Sequence, residues 1–598
     1  MCYYLYNVFL VVINMIFGRH INKYYLKFAI FFIIGIIALL AVDYYQLLIP
    51  EINRDLINGI NDKTLTMEIV RSLMKNLLLI GIVMVVGRFT WRICILGVGV
   101  RIESCLREKM FEKSLKLSQR YYNENKTGAI VALYSNDLQT LRNFFGSGTV
   151  MLIDAVFLGL LAFIKMFKLN VALTLISSVP LLILALCGGI IGRFMTKKFE
   201  ARQQAFEKLS DFTLENFSGL SVIKAFVKEA KELLKFKKIN KDNVEKNIEF
   251  VKYSAILNAA ITLVINLIIL IIIGYGSYLV YQYKVNDKVE FNVGNLQEYM
   301  SYFSTLTWPM MAIAQLINMR SQAKASLSRI NALLNEKVEI VDGELIDTEN
   351  MSGAISFNHL TFKYPGSDSP VLEDMSFDIK DGEFIGIIGK TGSGKTTILE
   401  MILRIYNVNK DSIYLGGYDI MKLKVKDARS LVGYVPQDNF LFSKTIEENI
   451  AFSSDVVNHE EVIEASKMAD IYSNIMEFKE EFKTVLGERG VTVSGGQKQR
   501  ISIARSLYKN PKILILDDAV SACDTKTEET ILNNLRKLRK GKTTIITAHR
   551  ISTVQNLDRI MIVEDGKILA FDTHKNLLET SKEYREMVEL QKLEEEVS

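Results

Sequence analysis

IGIIGKTGSGKTTILEMIL, running from Ile385 to Leu403, decides the fold of the C-terminal half of the chain. An apolar strand, Phe384 to Ile388, leads into Gly389-x-x-x-x-Gly394-Lys395-Thr396, and a helical run follows. This is the P-loop pattern in the strand–loop–helix context it requires. Its glycines let backbone N–H groups wrap a β-phosphate, and the helix N-terminus adds the positive end of a dipole. Lys390, Thr391, Gly392 and Ser393 form the turn itself, and Thr397 follows it. Lys395 is expected to reach the β- and γ-phosphates of ATP, and Thr396 to hold Mg²⁺. A merely structural glycine-rich turn has no need of a buried strand before it and a helix after it.

Two further stretches carry chemistry. In KILILDD, the apolar residues Ile513 to Leu516 read as a buried parallel strand that ends in Asp517 and Asp518. A carboxylate at such a strand end is where a P-loop ATPase organises Mg²⁺ and water. Taken alone, an aspartate there also fits a helix cap. In VSGGQKQRISIARSL, Ser494, Gly495, Gly496 and Gln497 open an amphipathic helix, which makes a second anion cradle by the same physics as the P-loop. One ATP does not need two cradles from one chain, so each is expected to work with another subunit.

Outward from this core the composition changes. The chain has 598 residues, 49% hydrophobic and 23% charged, with a formal net charge of +5. These averages are nearly those of a soluble protein, but the first half holds long uncharged runs such as LKFAIFFIIGIIALLAVDYYQLLIP. A simple soluble enzyme and a disordered chain are both excluded, and the charge is too small for a nucleic-acid binder. Five scattered cysteines fit neither a disulfide framework nor a zinc site.

Six windows are long and apolar enough to cross a bilayer, roughly 25–50, 73–100, 145–167, 170–193, 252–282 and 294–318. Lys and Arg concentrate after the second span (Arg101 to Lys126) and after the fourth (Arg193 to Lys246), which predicts both stretches, and both termini, on the cytoplasmic side. Gly and Pro breakers are nearly absent there, so the spans are expected to continue as helices beyond the membrane. Asp43, Arg88, Arg92 and Asp154 fall inside spans, each at a cost of about 2.5–3.5 kcal/mol near a helix centre. They fit a polar substrate path, or interfacial charges that pair or snorkel. Trp91 and Trp308 read as interface anchors, or alternatively as cavity walls. Residues 2–17 are apolar but short and lack a cleavage signal, so an interfacial helix or an N-terminal extension over 1–22 is expected rather than a signal peptide. The predicted organisation is then spans over 23–325, a linker over 326–354, a nucleotide-binding domain over 355–590 and a tail over 591–598.

P-loop, SGGQ and LDD in this order and spacing, behind six spans, resemble an ATP-binding cassette (ABC) exporter half-transporter. The resemblance covers about residues 20–590, and SGGQ is its specific element. It implies an all-α six-helix transmembrane domain followed by an α/β P-loop ATPase domain. It implies that Tyr364 in FKYPG stacks on adenine and that Gln437 in YVPQDNFLF contacts Mg²⁺ and water. It also implies that Thr484 to Gly490 relay motion between the halves, and that Ser521 to Asp524 cross the dimer interface. His549 in ITAHR becomes the switch that contacts the γ-phosphate. Two looser matches, Tyr122 to Asp137 and Glu215 to Glu229, resemble cytoplasmic turns that dock on nucleotide-binding domains; solvated loop faces fit them as well.

One position departs from the family. The Walker B aspartate, here Asp517, is normally followed by a glutamate that serves as general base, and here Asp518 stands there. Aspartate is one methylene shorter, so its carboxylate falls about 1.5 Å short, unless the backbone adjusts. Asp-Asp with an intact SGGQ resembles the degenerate half of bacterial heterodimeric multidrug exporters. The resemblance implies that Ser494, Gly495, Gly496 and Gln497 act in trans and complete the competent site of a partner chain. The expected function is ATP-driven export of hydrophobic or amphipathic compounds across the plasma membrane of a bacterium. Two alternatives stay open: a mainly ATP-binding regulatory half, and a homodimeric lipid or peptide exporter.

Overall fold

The computed structural model describes residues 23–24, 26–286, 290–344, 351–487, 490 and 492–597. The expected N-terminal segment 1–22, the middle of the linker and Glu488 and Arg489 of the relay loop lie outside them. Two compact units divide the chain, Met1–Met110 with Val131–Ala332, and Phe111–Ile130 with Leu333–Ser598.

Six long helical rods build the first unit: α1 (Ala29–Asn61), α2 (Met67–Lys116), α3 (Thr127–Leu169), α4 (Val171–Ser218), α5 (Glu229–Asn286) and α6 (Val293–Asn335). Their ends follow local chemistry. Thr66 accepts from the Ile69 N–H (3.4 Å) and Asn170 from the Leu173 N–H (2.8 Å), each satisfying an amide that the first helical turn leaves open. At 48 residues, α4 is about 72 Å long, more than twice the hydrocarbon core. Four rods, α1, α2, α3 and α5, are long and apolar enough to span a membrane. In α4 the apolar stretch counted among the described side chains ends at Pro180, because those of 181–194 lie outside them. The hydropathy of α6 is diluted by a polar seam instead. Tyr302 donates to Glu298 (2.8 Å), Tyr299 shares a hydrogen bond with Ser177 (2.8 Å), and Arg54 donates to Glu298 (3.0 Å).

Tyr299, Tyr302, Phe303, Ile268, Ile272, Leu158 and Met166 form the interior of this unit. Apolar residues also cover the outside: Ile30, Ile37, Leu78, Val86, Leu263 and Leu270 are all exposed. A bundle apolar inside and out belongs in lipid, where exposed aliphatic side chains carry no hydration penalty.

The second unit holds two sheets. An antiparallel sheet in the order β2-β1-β4-β5 is built from β1 (Ile355–Phe362), β2 (Leu372–Ile379), β4 (Ile413–Leu415) and β5 (Tyr418–Asp419). The other sheet runs β10-β9-β3-β8-β7-β6. It comprises β3 (Phe384–Ile388), β6 (Val432–Val435), β7 (Ile513–Asp517), β8 (Thr543–Thr547), β9 (Arg559–Glu564) and β10 (Lys567–Asp572), parallel apart from β10. Every residue of β3, β7 and β8 is buried, which is why β3 and Ile513–Leu516 of β7 read as unbroken apolar runs, and β8 as an apolar and β-branched one, rather than as alternating strands. Their order sets the carboxyl ends of β3, β8 and β7 side by side, so the P-loop, His549 and Asp517–Asp518 leave the sheet at one edge. Open α/β sheets bind ligands at that edge. The short helix Gln119–Glu124 belongs to this unit, with Arg120 paired to Glu339 (2.9 Å) and Ser118 donating to Glu339 (2.6 Å).

Arg539 fastens the strands beneath this edge. Its buried guanidinium donates to Thr544 Oγ1 (3.1 Å), Pro511 O (3.1 Å), Lys512 O (3.4 Å) and Thr543 O (3.1 Å), and burial pushes its pKa down to about 10. Arg539→Leu strands four acceptors. The expected cost is about 3 kcal/mol, or about 6–12 °C in the unfolding midpoint of this unit. Scanning calorimetry of the full chain checks it, and a fall under about 2 °C contradicts it.

Candidate functional site

The P-loop folds tightly because its glycines admit close neighbours. A Cβ on Gly389 would collide with the Val563 carbonyl. Lys395 opens the helix α7 (Lys395–Ile402), and its side chain turns back into the loop to donate to Gly389 O (2.7 Å) and Lys390 O (2.9 Å). Only 9% of Lys395 is exposed. Burial lowers its pKa, and the nearby Asp517 and Asp518 oppose that shift. Thr397 is buried, whereas Lys390, Thr391, Gly392 and Thr396 are exposed at the loop surface. Ser393 Oγ is buried without a hydrogen-bond partner. An unsatisfied hydroxyl inside a turn lined by backbone amides fits a phosphate oxygen as its acceptor.

Asp517 is 2% exposed. Thr547, at the end of the neighbouring β8, donates its hydroxyl to one carboxylate oxygen (2.7 Å), and Tyr434 on β6 reaches the other (3.4 Å). Burial pushes the Tyr434 phenol above its ordinary pKa, so it remains a donor. A carboxylate held on both sides is oriented toward the loop end of the sheet. With the Thr396 hydroxyl, this donor set suits Mg²⁺, which keeps several waters and takes few protein ligands.

Asp518 is half-buried and adopts a left-handed backbone (φ +48). Its N–H faces Thr547 Oγ1 (2.9 Å) and Thr547 O (3.2 Å). Its carbonyl accepts from Ser521 Oγ (2.8 Å) and Gln499 Nε2 (3.3 Å). The main chain is therefore bonded on both faces, so it moves only together with Thr547, Ser521 or Gln499.

Tyr364 follows β1, and its hydroxyl bonds Thr397 Oγ1 (2.9 Å) and Glu400 Oε2 (2.8 Å) on α7. This brings an aromatic ring beside the P-loop helix. Gln437 and His549 are both exposed. Ser494 caps the helix α8 (Gly495–Tyr508): its Oγ accepts from Gln497 N (3.3 Å), while Gln497 Oε1 accepts from Ser494 N (3.0 Å). This reciprocal box sets Ser494 and Gly495 at the surface, with Gly496 and Gln497 half-buried behind them.

A model of the ABC transporter transmembrane region matches residues 32–310, and a model of the ABC transporter matches 372–521. The chain is 35% identical over 577 residues to a probable multidrug resistance ABC transporter ATP-binding/permease protein, YheI, of Bacillus subtilis (strain 168), covering 96% of this chain and 97% of that protein. The chain belongs to the ABC transporters. This transporter is also 33% identical over 563 residues to the multidrug resistance-like ATP-binding protein MdlA of Escherichia coli (strain K12), covering 94% of each chain. A solved bacterial Atm1-family ABC exporter with ATP bound has the same fold, with a TM-score of 0.75 over 96% of the transporter and 98% of that chain, at 24% identity.

Several residues of the transporter's site escape a motif reading. Thr547 ends β8, whose sequence is TTIIT, yet nothing in a run of apolar and β-branched residues marks its hydroxyl as the partner of Asp517. Gln591 lies in the segment expected to be a tail. It donates to His549 O (2.7 Å) and accepts from Ile551 N (2.6 Å), holding the switch loop from both sides. Arg505 donates to Asn449 O (2.8 Å) and Phe440 O (2.9 Å), tying α8 to the segment after Gln437, and burial pushes its pKa down to about 10. Within the bundle, Asp43 and Asp154 are buried, each with one oxygen lacking a hydrogen-bond partner, while Arg88 and Arg92 are exposed. Trp308, expected as an interface anchor, donates its ring N–H to Asp154 (2.9 Å). The turn helix Leu220–Ala225 leaves Leu220, Val222 and the following Phe226 exposed.

Proposed function

We propose that this chain is the slow-site half of a heterodimeric exporter that moves hydrophobic or amphipathic compounds out of a bacterial cell. The observation that carries ATP-driven export is the end-to-end likeness to multidrug-resistance proteins, together with a P-loop, a held Asp517 and a capped SGGQ on one chain. The heterodimer rests on Asp518. Its short side chain hangs on a main chain that is bonded on both faces.

In this reading the P-loop amides and Lys395 bind the ATP phosphates. Tyr364 supports the base, and Asp517, Thr396 and Gln437 surround the metal position. Mg²⁺, when bound, neutralises charge that develops on the phosphates. Asp518 is the acceptor nearest the attacking water, and its reach limits turnover. Ser494 to Gln497 contact the nucleotide held by the partner chain. ATP drives transport by binding the closed arrangement of the nucleotide-binding domains better than the open one. The cytoplasmic placement of both termini follows from the Lys and Arg distribution. Asp518 also favours a second reading, a regulatory half that binds ATP and hardly turns it over.

Inside-out vesicles separate these readings. Vesicles holding this chain with a second half-transporter are expected to accumulate a hydrophobic bis-benzimide dye when ATP is added, and vesicles with either chain alone to accumulate little. Full-rate uptake by the homogeneous chain alone sinks the heterodimer. Uptake that depends on the second chain and on Lys395 of this one, but is unchanged by Asp518→Asn, supports the regulatory reading.

A further inference from the structure

Gln499 lies two residues beyond the SGGQ motif, on the opposite side of α8 from the exposed Ser494, and is 5% exposed. Its amide makes two contacts with one loop of the same chain. Nε2 donates to Asp518 O (3.3 Å), and Oε1 accepts from Ala522 N (3.0 Å). The Cys523 thiol also faces Oε1 (3.9 Å). A neutral amide offers both a donor and an acceptor, which is what a carbonyl and an N–H four residues apart in sequence demand. The helix and the loop also meet without a gap. A Cβ on Gly496 would stand 3.0 Å from Ala522 O, so a larger residue there would force them apart.

The joined elements serve different nucleotides in the reading above. The N-terminus of α8 faces the ATP on the partner's P-loop, while Asp517 and Asp518 face the ATP on this chain's own. We propose that Gln499 is a positioning residue that couples the two ATP sites: when SGGQ closes on the partner's nucleotide, the Gln499 amide carries the shift of α8 into the main chain at Asp518 and Ala522. It touches neither nucleotide. It acts because α8 cannot move without drawing on two hydrogen bonds to the carboxylate loop, and the loop's other bonds, Asp518 N to Thr547 and Ser521 Oγ to Asp518 O, pass that movement to β8 and to the interface loop. This inference rests on the two-site dimer of the proposed function.

The test uses the full chain in lipid nanodiscs and Mg-ATP as the probe, at a temperature where turnover is negligible. In the unaltered chain the second ATP is expected to bind about 10-fold more tightly than the first. In Gln499→Met, a near-isosteric change that removes donor and acceptor together, the two affinities are expected to fall within about 2-fold of each other, with the first unchanged. Gln499→Glu keeps the acceptor for Ala522 N and is expected to retain part of the difference; it also serves if the Met variant fails to fold. A loss of affinity by the same factor at both steps is what a purely structural residue would produce, and it overturns the inference. So does a Met variant that stays cooperative. An unaltered chain that binds ATP without cooperativity overturns the inference together with the two-site reading, whereas a cooperative Gln499→Met overturns the inference alone.

Discussion

Asp518→Glu is expected to raise ATP turnover by this chain, purified alone in lipid, by about 10²-fold or more. That is the lower end of what a positioned general base contributes, and it corresponds to about 2.7 kcal/mol of barrier. On the slow-site reading proposed above, the rest of the site is supplied by residues other than Asp518. Lys395, Asp517 with its Thr547 and Tyr434 partners, and a capped SGGQ are all present, so two copies of the chain can complete a site for one another. On that reading, Asp518 falls short by about 1.5 Å of reach, one carbon–carbon bond. The backbone cannot supply it cheaply. Moving Asp518 toward the water breaks hydrogen bonds to Thr547, Gln499 and Ser521, each worth about 0.5–1.5 kcal/mol. The left-handed backbone at Asp518 also explains why aspartate is comfortable there, since its short polar side chain tolerates φ > 0 better than glutamate does. The substitution is therefore expected to cost about 1 kcal/mol of stability while restoring turnover. Phosphate release measured on both proteins decides it. If the unaltered chain already hydrolyses ATP briskly, Asp518 is an adequate base, and the case for a second, different half-transporter loses its main support.

Much of this was legible in the sequence because the functional loops are punctuated by residue types with few alternative uses. Gly389-x-x-x-x-Gly394-Lys395 announces a backbone cradle, and the uncharged windows announce bilayer spans, since both follow from short-range rules. Two kinds of information were not local. Hydrogen-bond partners of the motifs come from other strands and helices. Thr547 is 30 residues from Asp517, and Gln591 is 42 from His549, so no spacing rule points to either. The polar seam of α6 was hidden for the opposite reason. Glu298, Tyr299 and Tyr302 sit in the window 294–318 read as a span, and only the packing of α1 and α4 against them shows that they face inward, bonded to Arg54, Ser177 and Thr174. Trp308 shows the same limit, because its sequence context does not separate an interface anchor from a cavity wall. Aromatic rings near helix ends are commonly interfacial, but a ring N–H is also the cheapest donor an intramembrane helix can offer a buried carboxylate such as Asp154.

Lys395→Ala is expected to weaken ATP binding by about 10²-fold and to abolish turnover. The ammonium is poised rather than relaxed. Burial disfavours its charge, and it is held by two loop carbonyls, Gly389 O and Lys390 O, with two carboxylates nearby. A triphosphate offers it full negative charges in place of carbonyl dipoles. Hydrogen bonds to charged groups contribute about 1.5–3 kcal/mol each, and a lysine that bridges β- and γ-oxygens makes at least one to each. Alanine removes these bonds and also a cation near Asp517 and Asp518 that offsets their repulsion of the incoming phosphates. Arginine is not expected to rescue the site, because its wide planar fork does not fit where a compact ammonium is wrapped by a tight turn. The fold itself should tolerate the loss. Lys395 begins α7, where alanine is an excellent helix former, and removing a buried cation offsets the two lost loop bonds. Equilibrium binding of ATP to the full chain, with the helical signal monitored in parallel, separates the two effects. An unchanged dissociation constant with an intact fold and unchanged turnover would show that Lys395 does not reach the phosphates. Unaltered binding with lost turnover would move its role from holding the ground state to stabilising charge during transfer.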